Sequence, residues 1–194
     1  MNVKLIKKKE NLLCFSYEDD GDLYFAKLFY FKNNEKLKKE YMREVEINNY
    51  ISENIENKKY HTRLIKIYED IEPFDYILPF IDDKIDICNI LIFEHSGSHP
   101  LRYYINKLSK KNFNDILYQL KEATLLLENI GVIHYDLYCQ NNIMLKKHKN
   151  NWIIKIIDYG LSYIDKEDKT KHDYRVAIES IKHFSKKHDL IDIP

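Results

Sequence analysis

Residues 132–161 read V-I-H-Y-D-L-Y-C-Q-N-N-I-M-L-K-K-H-K-N-N-W-I-I-K-I-I-D-Y-G-L. Two apolar runs flank a basic turn and predict a strand-turn-strand unit. Polar residues stand at fixed places around it: Asp136 lies five residues before Asn141, and Asp158 closes the second run and precedes Tyr159 and Gly160. Asp and Asn favour turns because their side chains bond nearby backbone groups, so each motif alone reads equally well as turn chemistry. Together and in this order they bring a proton-accepting carboxylate and two oxygen ligands of the kind a hard cation prefers into one hairpin.

In these residues the chain resembles the protein kinase superfamily, whose catalytic loop reads H-R-D-L-x-x-x-N and whose metal motif reads D-F-G. Here they are H-Y-D-L-Y-C-Q-N and D-Y-G. The resemblance implies transfer of the ATP γ-phosphoryl group, with Asp136 orienting the acceptor hydroxyl and Asn141 and Asp158 holding Mg2+ (or Mn2+). His134 is then a support of the loop, because Asp136 already fills the role of base.

The N-terminal part reads as three strands, with Leu12 to Tyr17 and Leu23 to Tyr30 joined by a turn at Asp20-Gly21. Alternation puts Leu23, Phe25, Lys27 and Phe29 on one face, so a lysine shares a face with three apolar side chains. A helix over 35–57 follows, its apolar stripe formed by Leu37, Tyr41, Val45, Ile51 and Ile55. Glu44 falls within that stripe and Glu46 points away, while Glu40 is a weaker partner for an inward cation. A lysine snorkelling from a strand end is the structural alternative. The resemblance implies instead that Lys27 meets the ATP phosphates and is held by Glu44.

Residues 71–89 read as an irregular hairpin or insertion with acidic positions 82, 83 and 86. A short strand over 90–93 is broken by E-H-S-G-S-H-P. By resemblance this is a hinge whose backbone near Glu94, His95 and Ser96 receives adenine, with Phe93 behind the pocket and Ile143 also contacting the nucleotide. Leu101 to Leu108 reads as a short helix, and a longer one over 113–130 is ended by Gly131. A last helix is predicted with Asp173 as its N-cap and Ala177, Ile178, Ile181 and Phe184 inward.

At 194 residues, the chain has room for one domain or a small two-lobed one. Lys plus Arg and Asp plus Glu each number 31. That balance gives no global basic field for nucleic acid or an anionic membrane. The three cysteines share no metal-binding spacing and suit a reducing intracellular compartment, cytoplasmic or nuclear. No apolar run reaches the length of a membrane helix.

The resemblance therefore implies an α+β, two-lobed kinase-like fold: residues 1–93 a small antiparallel-sheet lobe with one helix, 94–97 a hinge, and 98–194 a truncated helical lobe. It implies ATP as cosubstrate and a protein substrate or a larger complex as partner, with Ser/Thr phosphorylation as the first expectation. A pseudokinase that binds another protein, or a small-molecule kinase, is the alternative. Three departures matter. The glycine-rich phosphate loop is missing, with K-K-K-E-N in its place; Phe25 stands where a small residue usually makes room for adenine; and Tyr138 replaces the lysine of Ser/Thr kinases. Only about a dozen residues separate Gly160 from Asp173, which looks similar to the compact RIO and KEOPS-complex kinases.

Overall fold

The computed structural model describes residues 2–31, 34–81, 87–138, 140–149, 151–167 and 172–185. Acidic positions 82, 83 and 86 and Cys139 lie outside the described residues.

The first hairpins set the register on which the site depends. Strand β1 (Asn2–Lys9) runs antiparallel to β2 (Leu12–Asp19), with a shift in pairing between Leu5 and Lys7. Asp20 and Gly21 then turn the chain with φ of 49° and 84°. Both angles are left-handed, a region that Asp tolerates and Gly enters freely. The turn sets Asp19 opposite Asp22 and Cys14 opposite Lys27 along β3 (Asp22–Phe29).

Helix α1 (Glu35–Asn54) starts where the side chain of Asn34 accepts the Leu37 amide at 3.0 Å. It ends before the expected residue 57, because Ile55 turns to extended backbone and buries its side chain in the core. Strands β4 (Leu64–Ile71) and β5 (Cys88–Glu94) complete an antiparallel sheet in the order β1-β2-β3-β5-β4. One face carries Leu13, Phe15, Ala26, Leu28 and Ile90 into its own core. The other carries Phe29, Leu91 and Phe93 against Leu37 and Tyr41 of α1.

Beyond Glu94 come β6 (His99–Pro100), α2 (Leu101–Tyr104), α3 (Lys110–Asn129) and β7 (Val132–Ile133). They are followed by β8 (Ile143–His148), β9 (Asn151–Ile156), β10 (Tyr163–Ile164) and α4 (His172–Phe184). The helix expected over 101–108 is regular only to Tyr104. The amides of Lys107 and Leu108 both reach the Tyr104 carbonyl, at 2.7 and 3.1 Å, which tightens the turn before Ser109 caps α3. The main core joins α3, α4, β8 and β9, and Ile47 and Ile51 of α1 enter it too. Thus α1 packs against both halves of the molecule. The fold is α+β: an antiparallel-sheet N-terminal region and a short helical remainder. No helix among the described residues is long and apolar enough to cross a membrane.

Gly97 lies tight against β8. Its φ is +124°, and a Cβ there would collide with the Leu145 carbonyl of β8. Gly97→Ala is expected to destabilise the fold by about 2 kcal/mol or more, from left-handed strain plus the backbone clash. Urea unfolding of the variant beside the parent measures it.

Candidate active site

Lys27 sits in the middle of β3 between Cys14 of β2 and Leu91 of β5. Its ammonium lies 2.7 and 2.9 Å from the two carboxylate oxygens of Glu44 and 2.6 Å from Oδ1 of Asp158. Lys27 and Glu44 are 5% and 2% exposed. A charge that deep needs a partner, and each supplies the other's. Burial alone would discharge the lysine, but Asp158 and Glu44 together outweigh it and hold the ammonium above the ordinary lysine value. Lys27 in turn keeps Asp158 below the usual carboxylate range. Burial pushes the Glu44 carboxyl up to about 7, against the pull of Lys27.

Asp158 follows β9 with φ of 69°, a left-handed conformation in a residue other than glycine. Such a conformation persists only when its surroundings impose it. They do so on both sides. The Thr62 amide bonds the Ile156 carbonyl at 3.0 Å, and the Ile156 amide bonds the Tyr60 carbonyl at 2.7 Å. Past Asp158, the Tyr159 hydroxyl meets Nδ1 of buried His61 at 2.9 Å.

His134 is wholly buried. Nδ1 accepts the Asp136 amide at 3.3 Å, so the proton sits on Nε2, which donates to the Ile157 carbonyl at 2.9 Å. The ring is neutral, burial lowering its pKa. It ties the Asp136 loop to the residue just before Asp158. Asp173 was expected to cap α4; instead it lies inside the first turn, and its carboxylate accepts the amides of His134 and Tyr135 at 2.6 and 3.0 Å. The α4 helix thereby fixes the backbone that presents Asp136. Pairing of β10 with β7 and a Tyr135–Tyr163 ring contact at 5.9 Å fasten the segment after Gly160 to the same loop.

Asn141 is exposed, whereas its neighbour Asn142 is buried and donates to Asp136 twice, at 2.8 Å to Oδ2 and 3.0 Å to the carbonyl. Counting five residues from Asp136 singles out Asn141 and passes over Asn142. The signal that would have found it is the strand start, because Asn142 directly precedes β8. Asp158, Asp136 and Asn142 or Asn141 offer carboxylate and amide oxygens, a donor set that fits Mg2+ completed by phosphate oxygens.

Of the expected nucleotide contacts, Phe93 lies under Lys27, 5.9 Å from ammonium to ring centroid, and 6.2 Å from the ring of Phe25. Ile143 is fully buried at the start of β8. The Glu94 amide is engaged by the Arg63 carbonyl at 3.0 Å, and its carboxylate binds Lys155 at 2.6 Å. Ser96 is buried and donates to Thr62 at 2.8 Å.

A sheet-bound lysine, a helix-borne glutamate and a D-Y-G aspartate meet on one ammonium, an arrangement of the kinase type. The family model for protein tyrosine and serine/threonine kinases matches residues 28–187, and the chain belongs to that family. It is similar to the serine/threonine-protein kinase tousled-like 1 of Caenorhabditis elegans, 30% identical over 125 residues, and to the probable serine/threonine-protein kinase fnkB of Dictyostelium discoideum, 33% identical over 76 residues. These matches cover 62% and 38% of this chain but only 12% and 14% of the relatives. Proteins of this family use ATP with a divalent metal.

Two outcomes follow from the electrostatics. Lys27→Met strands Glu44 without its cation and is expected to cost about 3 kcal/mol in urea unfolding, with most of the loss recovered in the Lys27→Met/Glu44→Gln pair. Burial lowers the pKa of His61 from 6.5 to about 3. Unfolded chains therefore bind its proton across that window while folded ones do not, and stability falls as pH drops from 6.5. His61→Asn removes a slope of about 1.4 kcal/mol per pH unit. Comparing unfolding midpoints of parent and variant at about pH 5 and about pH 7 isolates the effect, because Glu44, which runs the opposite way, cancels in the difference.

Proposed function

We propose that this chain is a small ATP-dependent protein kinase that transfers the γ-phosphoryl group to Ser/Thr hydroxyls of a protein substrate or of a larger complex. The observation that carries the reading is the ammonium of Lys27 held at once by Glu44 and Asp158. Asp136 orients the acceptor hydroxyl and takes its proton, and Lys27 holds nucleotide phosphates. Asp158 and Asn142, with Asn141 the alternative, hold Mg2+ or Mn2+, which neutralises charge on the phosphates. Phe93, Ile143, the Glu94 carbonyl and the Ser96 backbone receive the adenine, the Glu94 amide being engaged by Arg63. The residue ranges 1–93, 94–97 and 98–194 are read as small lobe, hinge and minimal large lobe.

The short run from Gly160 to Asp173 supports likeness to the RIO and KEOPS-complex kinases. The buried, free Cys14 and Cys88 fit a reducing intracellular compartment. A second reading, nucleotide-free binding of a partner protein, draws on Phe25, whose ring lies against Phe93 on the face that adenine would use.

Transfer of labelled γ-phosphate from ATP with Mg2+ to the chain itself and to generic protein acceptors tests the first reading. Asp136→Asn is expected to lower transfer at least about a hundredfold with nucleotide affinity nearly unchanged, since it acts on the acceptor. Asp158→Ala removes the metal dependence of nucleotide binding. Asn142→Ala lowers transfer more than Asn141→Ala; the reverse order returns the ligand role to Asn141. A parent that binds no nucleotide favours the partner-binding reading.

A further inference from the structure

The sheet carries a lysine that the phosphotransfer site does not yet use. Across an antiparallel pair, residues directly opposite project to the same face. Lys7 of β1 stands opposite Cys14 of β2, and Cys14 stands opposite Lys27 of β3. Lys7 therefore shares the face of Lys27, two strands away, which at ordinary strand spacing is about 10 Å.

That placement is the work of the irregularity between Leu5 and Lys7. Up to Leu5 the pairing is regular, with Leu5 opposite Phe15. Continued without the shift, it would set Ile6 opposite Cys14 and Lys7 opposite Leu13, whose face is the separate core shared with Phe15 and Leu28. A bulge re-aims side chains in this way, and bulges are common beside active sites. Here it turns Lys7 toward the cleft and leaves Lys8, opposite Leu13, on the other face.

Charge in the cleft calls for such a group. The ammonium of Lys27 is committed to two carboxylates, Glu44 and Asp158. A nucleotide triphosphate entering there needs further positive charge or amide donors. The turn between β1 and β2 has no glycine, so its backbone lacks the freedom to fold amides around phosphate. Asp158, held low chiefly by Lys27, also feels the charge of Lys7, which places that side chain within electrostatic reach of the site.

We propose that Lys7, turned into the cleft by the β1 bulge, binds the nucleotide phosphates in place of a glycine-rich loop. This rests on the reading of the cleft as an ATP site. It makes β1 a point-charge phosphate grip built on an edge strand, where a glycine loop would offer several amides.

The test is equilibrium binding of ATP and of adenosine, each with Mg2+ present, to the parent, Lys7→Ala and Lys8→Ala. Lys7→Ala is expected to weaken ATP about tenfold, the size of a lost charge-assisted contact. Adenosine affinity stays the same, and the loss shrinks as salt is raised. Lys8→Ala, on the opposite face, leaves both ligands unaffected. Unchanged ATP affinity in Lys7→Ala overturns the proposal, as does an equal loss for adenosine, which would mark a role in folding. Lys7-dependent ATP binding without phosphate transfer supports the grip while removing the transferase reading. Transfer that persists at parental ATP affinity in Lys7→Ala removes the grip alone.

Discussion

One buried ammonium joins three parts of this molecule. Lys27 belongs to the sheet, Glu44 to α1 and Asp158 to the loop after β9, and the three meet within 2.6 to 2.9 Å. Buried ion pairs contribute little net stability once desolvation is counted, so their value lies in specifying one arrangement. If α1 rolls or the Asp158 loop withdraws, a carboxyl and an ammonium lose partners in a dry environment. The assembly is therefore all-or-none: it is favoured when all three groups meet and strongly disfavoured when one is missing.

The loop after α1 enforces the same state from behind. Tyr60 and Thr62 hold both backbone groups of Ile156, the Lys155 ammonium reaches the His61 carbonyl at 3.2 Å and Glu94 at 2.6 Å, and His61 holds the Tyr159 hydroxyl. Residues on both sides of Asp158 are thus gripped by one short segment. The tyrosine of D-Y-G supplies a directional bond that an apolar ring in that position would lack, and the bond aligns the loop as well as burying it. With Lys155 joined to Glu94, the same segment also fixes the end of β5.

Much of this was legible in the sequence wherever two periodicities disagreed with polarity. Lys27 stood out as a charge on the buried parity of a strand, and Glu44 as a charge within the apolar stripe of a helix; each anomaly had the other as its explanation. Asp20-Gly21 announced its turn because few residue pairs tolerate left-handed backbone twice running. Other features were hidden for equally physical reasons. Asp173 looked like a helix cap because capping is local, while its true acceptor role is to amides 38 and 39 positions away in the chain. Asn142 was masked by counting along a loop whose path, a 3-10 turn over Gln140–Asn142, decides which amide faces inward. The facing of three successive lysines cannot be read from K-K-K at all, since a bulge one residue earlier changes the parity of everything after it.

The departures from the kinase pattern then form a consistent set. A glycine loop closes flexibly over nucleotide and gathers several weak amide contacts, at the entropic cost of ordering mobile backbone. Here β1 and β2 continue as paired strand to Lys9 opposite Leu12, so the roof of the cleft is stiff before any ligand arrives. A stiff roof cannot mould itself to phosphate, and its recognition has to come from side chains long enough to reach. Lysine suits that purpose, being a compact charge on a flexible stem. Phe25 and Phe93, their rings tilted against each other on neighbouring strands, supply apolar surface where a small residue would leave space. With Lys7 as the proposed grip, rigid backbone with mobile charged tips would replace mobile backbone with fixed dipoles, and affinity in such a cleft would depend on ionic strength more steeply than in one built on amides.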